Sequence, residues 1–289
     1  MTLELIEKAA DWRTRLDACR GKGQQVGLVP TMGALHAGHM SLIRRAAAEC
    51  DVVGVTDYVN PLQFGAGEDL AAYPRDIQRD CELAEEAGAA LVFAPSVEEM
   101  WPEPPATTVT VEGFTEGLEG ASRPGHFNGV TTIVAKLFSL TGSCFAYFGE
   151  KDFQQLVVVR RMVTDLSLPV DIVACPTVRE TDGLALSSRN AYLSAAEREA
   201  APHLFYALLA GKRAVEGDGL DDPDLVEKSM AESLQRQPLF QLDYAAVADP
   251  ETLERPARIT GEVRLLMAAR IGRARLIDNV PATPPSAAA

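Results

Sequence analysis

Apolar residues fall in two alternating patterns along the first 177 positions. In one they form short continuous runs: "VGLVP", "DVVGVTDYVNP", "ALVFAP", "CFAYFG" and "VDIVACP". These runs are rich in β-branched and aromatic residues and are bounded by Gly, Pro or Asp, which predicts buried strands. In the other, apolar residues recur three and four apart. That spacing predicts helices over 3–20 (Leu5, Ile6, Ala9, Ala10, Leu16) and about 38–49 (Leu42, Ile43, Ala46, Ala47, Cys50). Further helices are predicted over about 76–88, ending at Gly88 as a C-cap, about 129–141, and about 151–166 with Leu156, Val159, Met162 and Val163 inward. "TTVTVEG" predicts an edge strand. Continuous apolar strands alternating with helices specify a parallel sheet covered on both faces. Ligands of such sheets bind beyond the carboxyl ends of the strands.

The character changes after about 177. "SAAEREAAPHLFYALLAGKRAVEG" and "DLVEKSMAESLQRQ" read as helices, "LDYAAVAD" and "EVRLLMAARIGRARLIDNV" as short strands. This predicts a larger domain over 1–177 and a smaller α+β domain over 178–289, with a Pro/Ala/Ser-rich tail disordered from about 281. No internal repeat is visible.

Composition narrows the function. The net charge of −14 opposes a sequence-independent nucleic-acid binder, which needs a basic face, although a local cationic site for an anionic substrate is compatible with it. The five cysteines, Cys19, Cys50, Cys81, Cys144 and Cys175, are scattered and lack CxxC spacing. They read as reduced thiols of a cytoplasmic protein, with Cys144 and Cys175 as small core residues. No leader and no apolar run of about 18 residues is present, so neither secretion nor membrane spanning is expected.

The chemistry concentrates at strand-to-helix turns. "VPTMGALHAGHM" carries two of the four histidines, His36 and His39, where a strand gives way to a helix. A helix N-terminus offers unpaired N–H groups and a partial positive charge, and Gly33 and Gly38 let main chain approach a ligand, so the turn suits phosphate. HxxH is also the spacing of a metal pair, but no HExxH order supports it, and exposed decoration is the third alternative. "FGEKDFQQL" places Lys151 in a first helical turn, where a cation opposes the macrodipole and a bound anion would offset it. Asp152, Gln154 and Gln155 share that turn, which is otherwise an ordinary exposed helix start. "RETDGLALSSRN" clusters Ser187, Ser188 and Arg189, with Gly183 as a hinge, and reads as a phosphate clamp or a surface N-cap. Asn60 and Gln63 follow another strand and suit a small polar substrate, although Pro61 and Gly65 alone explain a turn there. Arg123 and His126, before a helix, offer a second anion contact or a loop packed by Phe127. The glycines of "GKGQQVG" precede their strand, the wrong context for a dinucleotide loop.

Taken together and in order, "PTMGALHAGH", "VNPLQFGAGEDL", "YPR", "RPGHFNGV", "YFGEKDFQQL", "PTVRETDGLALSSRN" and "RLIDN" closely resemble the pantoate–β-alanine ligases over roughly 29–280. The resemblance implies a Rossmann-like N-terminal domain of the HIGH-motif nucleotidyltransferase kind, a smaller C-terminal domain, and a homodimer; keeping water from an activated acyl intermediate would then require the C-terminal domain, or the 186–189 loop, to close over it as a lid. It implies condensation of pantoate with β-alanine, using ATP and Mg²⁺ and releasing AMP and pyrophosphate by way of pantoyl adenylate. It assigns ATP binding to Met32, Gly33, Ala34, Leu35, His36, Ala37, Gly38 and His39, to Gly149, Glu150, Lys151 and Asp152, and to Val178, Leu186, Ser187, Ser188 and Arg189. His39 is the expected proton donor, with His36, Lys151 and Arg189 as further catalytic candidates; no protein metal ligand is assigned. Gln63 and Gln155 are expected on pantoate, Gln63 also on β-alanine, with Asn60 and Tyr73 as lesser contacts.

Two positions depart from the family pattern. Where the family reads like "SIFVNP", this chain reads "TDYVNP", so Asp57 puts a carboxylate into a strand expected to be apolar on both faces. Unpaired burial would cost several kcal/mol or raise its pKa, so it faces a wet cleft or has a partner. Leu186 stands where the family commonly has Met, a mild apolar exchange. Two rivals remain at this point: another HIGH-type nucleotidylyltransferase, whose product would retain the nucleotide, and a catalytically silent nucleotide-binding protein.

Overall fold

The computed structural model describes residues 3–65 and 70–285; positions 66–69 of the "VNPLQFGAGEDL" stretch and 286–289 of the tail lie outside the described residues. The chain divides into two compact units, one holding the residues up to Glu150 with Val158–Pro176, the other Lys151–Val157 with the residues from Thr177 onward.

In the first unit the elements run β1 (Glu4–Ile6), α1 (Ala9–Arg20), β2 (Val26–Thr31), α2 (Ala37–Glu49), β3 (Val52–Asp57), α3 (Ile77–Glu86), β4 (Leu91–Phe93), α4 (Val97–Met100), α5 (Glu119–Ser122), α6 (His126–Thr141) and β5 (Cys144–Gly149). α7 (Phe153–Asp165), of which Phe153–Val157 count with the second unit, and β6 (Val170–Cys175) follow. Among the described residues the strands form one parallel sheet in the order β1-β4-β3-β2-β5-β6. Chain order therefore reverses direction between β2 and β5, where Gly27 and Leu28 pair with Phe145 and Ala146. A reversal of this kind leaves the carboxyl ends of the two central strands open to a ligand.

Side-chain alternation explains why both faces are covered. Val29, Val53, Val55, Val92 and Tyr147 share one core with Ile43 and Ala46 of α2 and Ala84 of α3. The other face presents Gly54 and Phe93 to Trp12 of α1, whose ring stacks on Phe93 with centroids 5.1 Å apart. The indole N–H of Trp12 donates to Thr141 Oγ1 of α6 at 3.2 Å, so this large side chain is buried without an orphaned donor. All five cysteines are free thiols. Burial pushes the Cys144 thiol up to about 12 and raises Cys175, which keeps both protonated and inert.

The second unit carries α8 (Ala195–Ala200), α9 (His203–Glu216), α10 (Pro223–Gln235), β7 (Phe240–Ala248), β8 (Val263–Ile271) and β9 (Ala274–Ala282). The strands make an antiparallel sheet, β7-β8-β9, under a core of Leu204, Leu208, Val226, Met230, Leu265 and Met267. They are nine residues each, longer than the short strands expected from sequence.

Three expectations are corrected. The predicted helix over 3–20 is a strand followed by a helix: β1 pairs in parallel with β4, and Lys8 is extended (φ −105°, ψ 131°) before α1 begins. The spacing of Leu5, Ile6, Ala9 and Ala10 satisfies a helical template although only Ile6 of β1 is buried. "TTVTVEG" is not an edge strand. The amide of Val109 donates to Thr132 Oγ1 at 3.0 Å and its carbonyl accepts from Thr131 Oγ1 at 2.5 Å, so hydroxyls of α6 satisfy the main chain in place of a neighbouring strand. The segment from 281 does not begin as disorder, because Pro281 and Ala282 complete β9 opposite Arg264 and Val263.

Asp57, the polar intruder in β3, has a partner, and it is another carboxyl group. A Cβ placed on Gly33 would lie 2.3 Å from Asp57 Oδ1 and 3.0 Å from Asp80 Oδ2, so both acids crowd one glycine. Asp80 is buried in the first turn of α3. Burial, then the neighbouring charge of Asp80 and a hydrogen bond to it, push Asp57 up to about 7. The pair thus holds one proton at a pH where an exposed carboxyl has lost its own.

Two outcomes are expected. Gly54→Ala forces a methyl to within 2.3 Å of the Trp12 ring and should destabilise the protein by about 1–3 kcal/mol in urea unfolding, whereas Gly261→Ala, with open space around it, should stay within about 0.5 kcal/mol. Asp57 is ionised in the unfolded chain above about pH 4 but keeps its proton in the folded chain until about pH 7. Its contribution to stability therefore falls as pH rises through that window and stays low above it. Asp57→Asn should reduce the loss of unfolding midpoint between pH 5 and pH 8; an unchanged pH dependence would rule the shared proton out.

Candidate active site

The turn after β2 is built by main-chain conformation and one carboxylate. Gly33 (φ 76°) and Ala34 (φ 51°) are consecutive left-handed residues. Asp80 stabilises that unusual path, its two oxygens accepting from the amides of Ala34 at 2.8 Å and Leu35 at 2.7 Å. The Gly33 amide donates to Thr31 Oγ1 at 3.1 Å, and the Thr31 hydroxyl donates to the Thr56 carbonyl at 2.6 Å. Every residue from Met32 to Leu35 is thus tied to β3 or α3 or lies beside a residue that is.

The turn delivers His36 to the N-cap of α2, where its Nδ1 accepts from the Gly38 amide at 3.1 Å. A neutral imidazole whose Nδ1 accepts carries its hydrogen on Nε2, so His36 presents an N–H donor. His39, one turn on, stacks against His36 with ring centroids 4.0 Å apart. Ala37 and Gly38 complete the first turn, which contains no acidic residue. Among the described residues no group of three or more His, Cys, Asp or Glu is placed to hold a metal ion.

Asn60 and Gln63 are brought together after β3. Asn60 caps a single 3-10 turn, Pro61–Gln63, by accepting from the Leu62 amide. Its amide nitrogen donates to Gln63 Oε1 at 3.3 Å and to the Gly129 carbonyl of α6 at 3.1 Å. Gln63 Nε2 lies 2.8 Å from the sulfur of Met32. Helix α6 reaches this turn through main chain: a Cβ at Gly129 would stand 2.2 Å from the Leu62 carbonyl oxygen. The Gln63 carbonyl accepts from His126 Nδ1 at 2.8 Å and from Arg123 at 3.4 Å, while Arg123 Nη1 lies 2.9 Å from His126 Nε2. A carbonyl only accepts and a guanidinium only donates, so His126 is the neutral Nδ1–H tautomer. Arg123 and His126 therefore buttress the turn, and His126 opens α6 instead of preceding it. Tyr73 is buried, its ring edge-on to Phe64 at 5.9 Å. Gly149 ends β5, and Glu150 begins the 3-10 turn Glu150–Asp152.

The remaining candidates belong to the second unit. Lys151 sits in that 3-10 turn just before α7, not inside the helix, with its ammonium 3.4 Å from Asp152 Oδ1. Gln154 is buried and Gln155 half-buried on α7. Val178 and Leu186 are joined across a short hairpin: the Leu186 amide donates to the Val178 carbonyl at 3.0 Å, and Arg179 bridges to Ala185. Ser187 caps the next 3-10 turn, Ser188–Tyr192, by accepting from the Arg189 amide. A small hollow in this unit is lined by Lys151, Ser187, Asn190 and Asp278 among apolar side chains.

Sequence reasoning missed the residues that hold these turns. Asp80 occupies an inward position of an amphipathic helix, a signal that could have been read. Arg179, Asp278 and Asn279 lie inside the family words "PTVRETDGLALSSRN" and "RLIDN", their one signal, whereas Arg264 had none; the partners of all four lie about 100 or more positions away or on a neighbouring strand.

The family model described as Pantoate-beta-alanine ligase matches residues 4–281. The chain is 50% identical to the pantothenate synthetase of Moorella thermoacetica over 278 residues, which cover 96% of this chain and 98% of that one. The crystal structure of the pantothenate synthetase of Thermus thermophilus superposes with a TM-score of 0.91 at 50% identity, covering 96% of this chain and 99% of that one. The pantoate–β-alanine ligase of Francisella tularensis, solved in complex with β-γ ATP and β-alanine, is 31% identical with a TM-score of 0.79, covering 96% of this chain and 97% of that one. By sequence and by fold, this chain belongs to the pantoate–β-alanine ligase family.

Proposed function

We propose that the ATP-dependent condensation of pantoate with β-alanine, the activity of the family, runs in this chain through pantoyl adenylate on the residues assigned above. The pantoate carboxylate attacks the α-phosphorus of ATP. The new bond joins acyl oxygen to phosphorus, and pyrophosphate departs with the electrons of the broken P–O bond. The amine of β-alanine then attacks the acyl carbonyl, AMP leaves and the nitrogen loses a proton. Adenylation replaces a poor leaving group by a good one, and most of the catalysis in such transfers is positioning and charge stabilisation.

His36, through Nε2–H, and His39 donate to phosphate oxygens, with His39 supplying a proton to the departing group. Lys151 and Arg189 share the negative charge that develops at the α-phosphate and pyrophosphate. Met32–His39, Gly149–Asp152, Val178 and Leu186–Arg189 line the nucleotide, and Gln155 joins Gln63, Asn60 and Tyr73 around pantoate. The residues from 178 act as a lid that keeps water from the adenylate. Mg²⁺ belongs to the same reading and would supply charge neutralisation at the triphosphate. A homodimer and a cytoplasmic location belong to the same reading; among the described residues no helix is long and apolar enough to cross a membrane.

The observation that carries the reading is the turn after β2. It places a neutral imidazole donor at the N-cap of a 13-residue helix without acidic residues in its first turn. A donor held in this way at a helix N-terminus supports the reading of a phosphate contact.

The test is pantoate-dependent exchange of labelled pyrophosphate into ATP, which reports adenylation alone. Lys151→Ala should lower it about 100-fold or more, the scale on which a transition-state charge donor is felt; exchange near the wild-type rate would remove Lys151 from the mechanism. Gln63→Ala should raise the KM for pantoate about tenfold to a hundredfold, as losing a hydrogen bond in a buried polar site does. An unchanged KM would mean that the Asn60–Gln63 turn contacts something else.

A further inference from the structure

Two adjacent residues of β9 hold both of the second unit's anion-contact turns. Asn279 is buried, 3% exposed, and its amide nitrogen donates to the carbonyl of Lys151 at 2.9 Å. Its Oδ1 accepts from Arg264 Nε at 2.6 Å. Arginine can only donate, so the amide orientation is fixed: oxygen to Arg264, nitrogen to Lys151. Arg264 also lies 4.2 Å over the ring of Phe153, two residues beyond Lys151. Asp278, 4% exposed, grips Arg179 with both oxygens, at 2.5 and 2.9 Å. Arg179 in turn stacks on Phe205 at 4.0 Å and donates to the Gly183 carbonyl at 3.1 Å, inside the hairpin that leads into Leu186–Arg189. The main-chain N–H of Asn279 donates to Asp278 Oδ1 at 2.7 Å, which ties the Asp278 carboxylate to the strand position that carries Asn279.

A buried ion pair is a poor source of stability, because desolvation offsets most of the attraction and an apolar pair of the same volume would serve as well. What the pair and the amide supply is a fixed path for two loops anchored on one strand. We infer that Asn279 is a positioning residue of the adenylation step, setting the main chain at Lys151, with Asp278 setting the Leu186–Arg189 turn through Arg179. The inference rests on the reading that these two turns contact ATP. A loop displaced by about 1 Å can cost a hundredfold in rate even when every reacting group is present.

Asn279→Asp tests it in the full chain. The substitution keeps size and keeps an acceptor for Arg264, but it removes the donor to Lys151 and turns a carboxylate oxygen towards that carbonyl. Its kcat for pantoate-dependent pyrophosphate exchange should fall about tenfold to a hundredfold, with the KM for pantoate unchanged and the thermal midpoint close to wild type. Asp243→Asn, which breaks the 2.7 Å pair with Arg275 in the same sheet without touching either turn, should leave exchange at the wild-type rate. Should Asn279→Asp fail to fold, Asn279→Ser removes the same donor with a smaller side chain and should show the same loss of kcat. Wild-type kcat in the Asn279 variant beside a crippled Lys151→Ala overturns the positioning role and leaves the reading of Lys151 intact. An equal loss in Asp243→Asn overturns it too, since the effect would then be general loosening. Full exchange in Lys151→Ala overturns both.

Discussion

The site rests on the carboxylate of Asp80 accepting from two successive amides. Left-handed backbone at Ala34 is unfavourable by about 1–2 kcal/mol for a residue with a side chain, and a turn of that shape persists only when something over-determines it. Charge-assisted hydrogen bonds of 2.7 and 2.8 Å to a buried acid do so. With the turn fixed, His36 arrives as the N-cap of α2, and its tautomer follows from the Gly38 amide. Asp57 adds a second acid at the same place. It changes how the support responds to pH without changing which amides are held.

The second unit reaches the same end with different chemistry. Its turns are held by an arginine fork and a primary amide, groups with rigid planar geometry, instead of by a carboxylate beneath a loop. Both solutions place the holding group one layer behind the candidate contacts, on a regular element: α3 for Asp80, β9 for Asp278 and Asn279. A contact residue can then be polar and half-exposed, as Lys151, Ser187 and Arg189 are, because its direction is set from behind.

Much of this was legible in the residues. Parallel strands announce themselves because burial on both faces removes alternation, and β2, β3, β5 and β6 were read that way. Motif order identified the family. What stayed hidden has physical causes. β1 is three residues long and exposes two of them, too little for a period of two to outweigh an accidental helical spacing. "TTVTVEG" has strand composition, but composition cannot say whether a hydroxyl or a neighbouring strand will satisfy the main chain. Asp57 was recognised as anomalous, yet its partner lies in another helix. The supporting pairs, Asn279 with Lys151 and Arg179 with Asp278, are separated by 128 and 99 positions, beyond any local pattern.

Glycine at position 129 has one more effect. Where α6 meets the Pro61–Gln63 turn, peptide groups touch without a side chain between them. The gap between those elements is therefore set by the covalent dimensions of the chain, which no substitution elsewhere on α6 alters. The Pro61–Gln63 turn therefore rests against α6 at a height fixed by peptide dimensions, whatever the volume of the hydrophobic side chains packed around it.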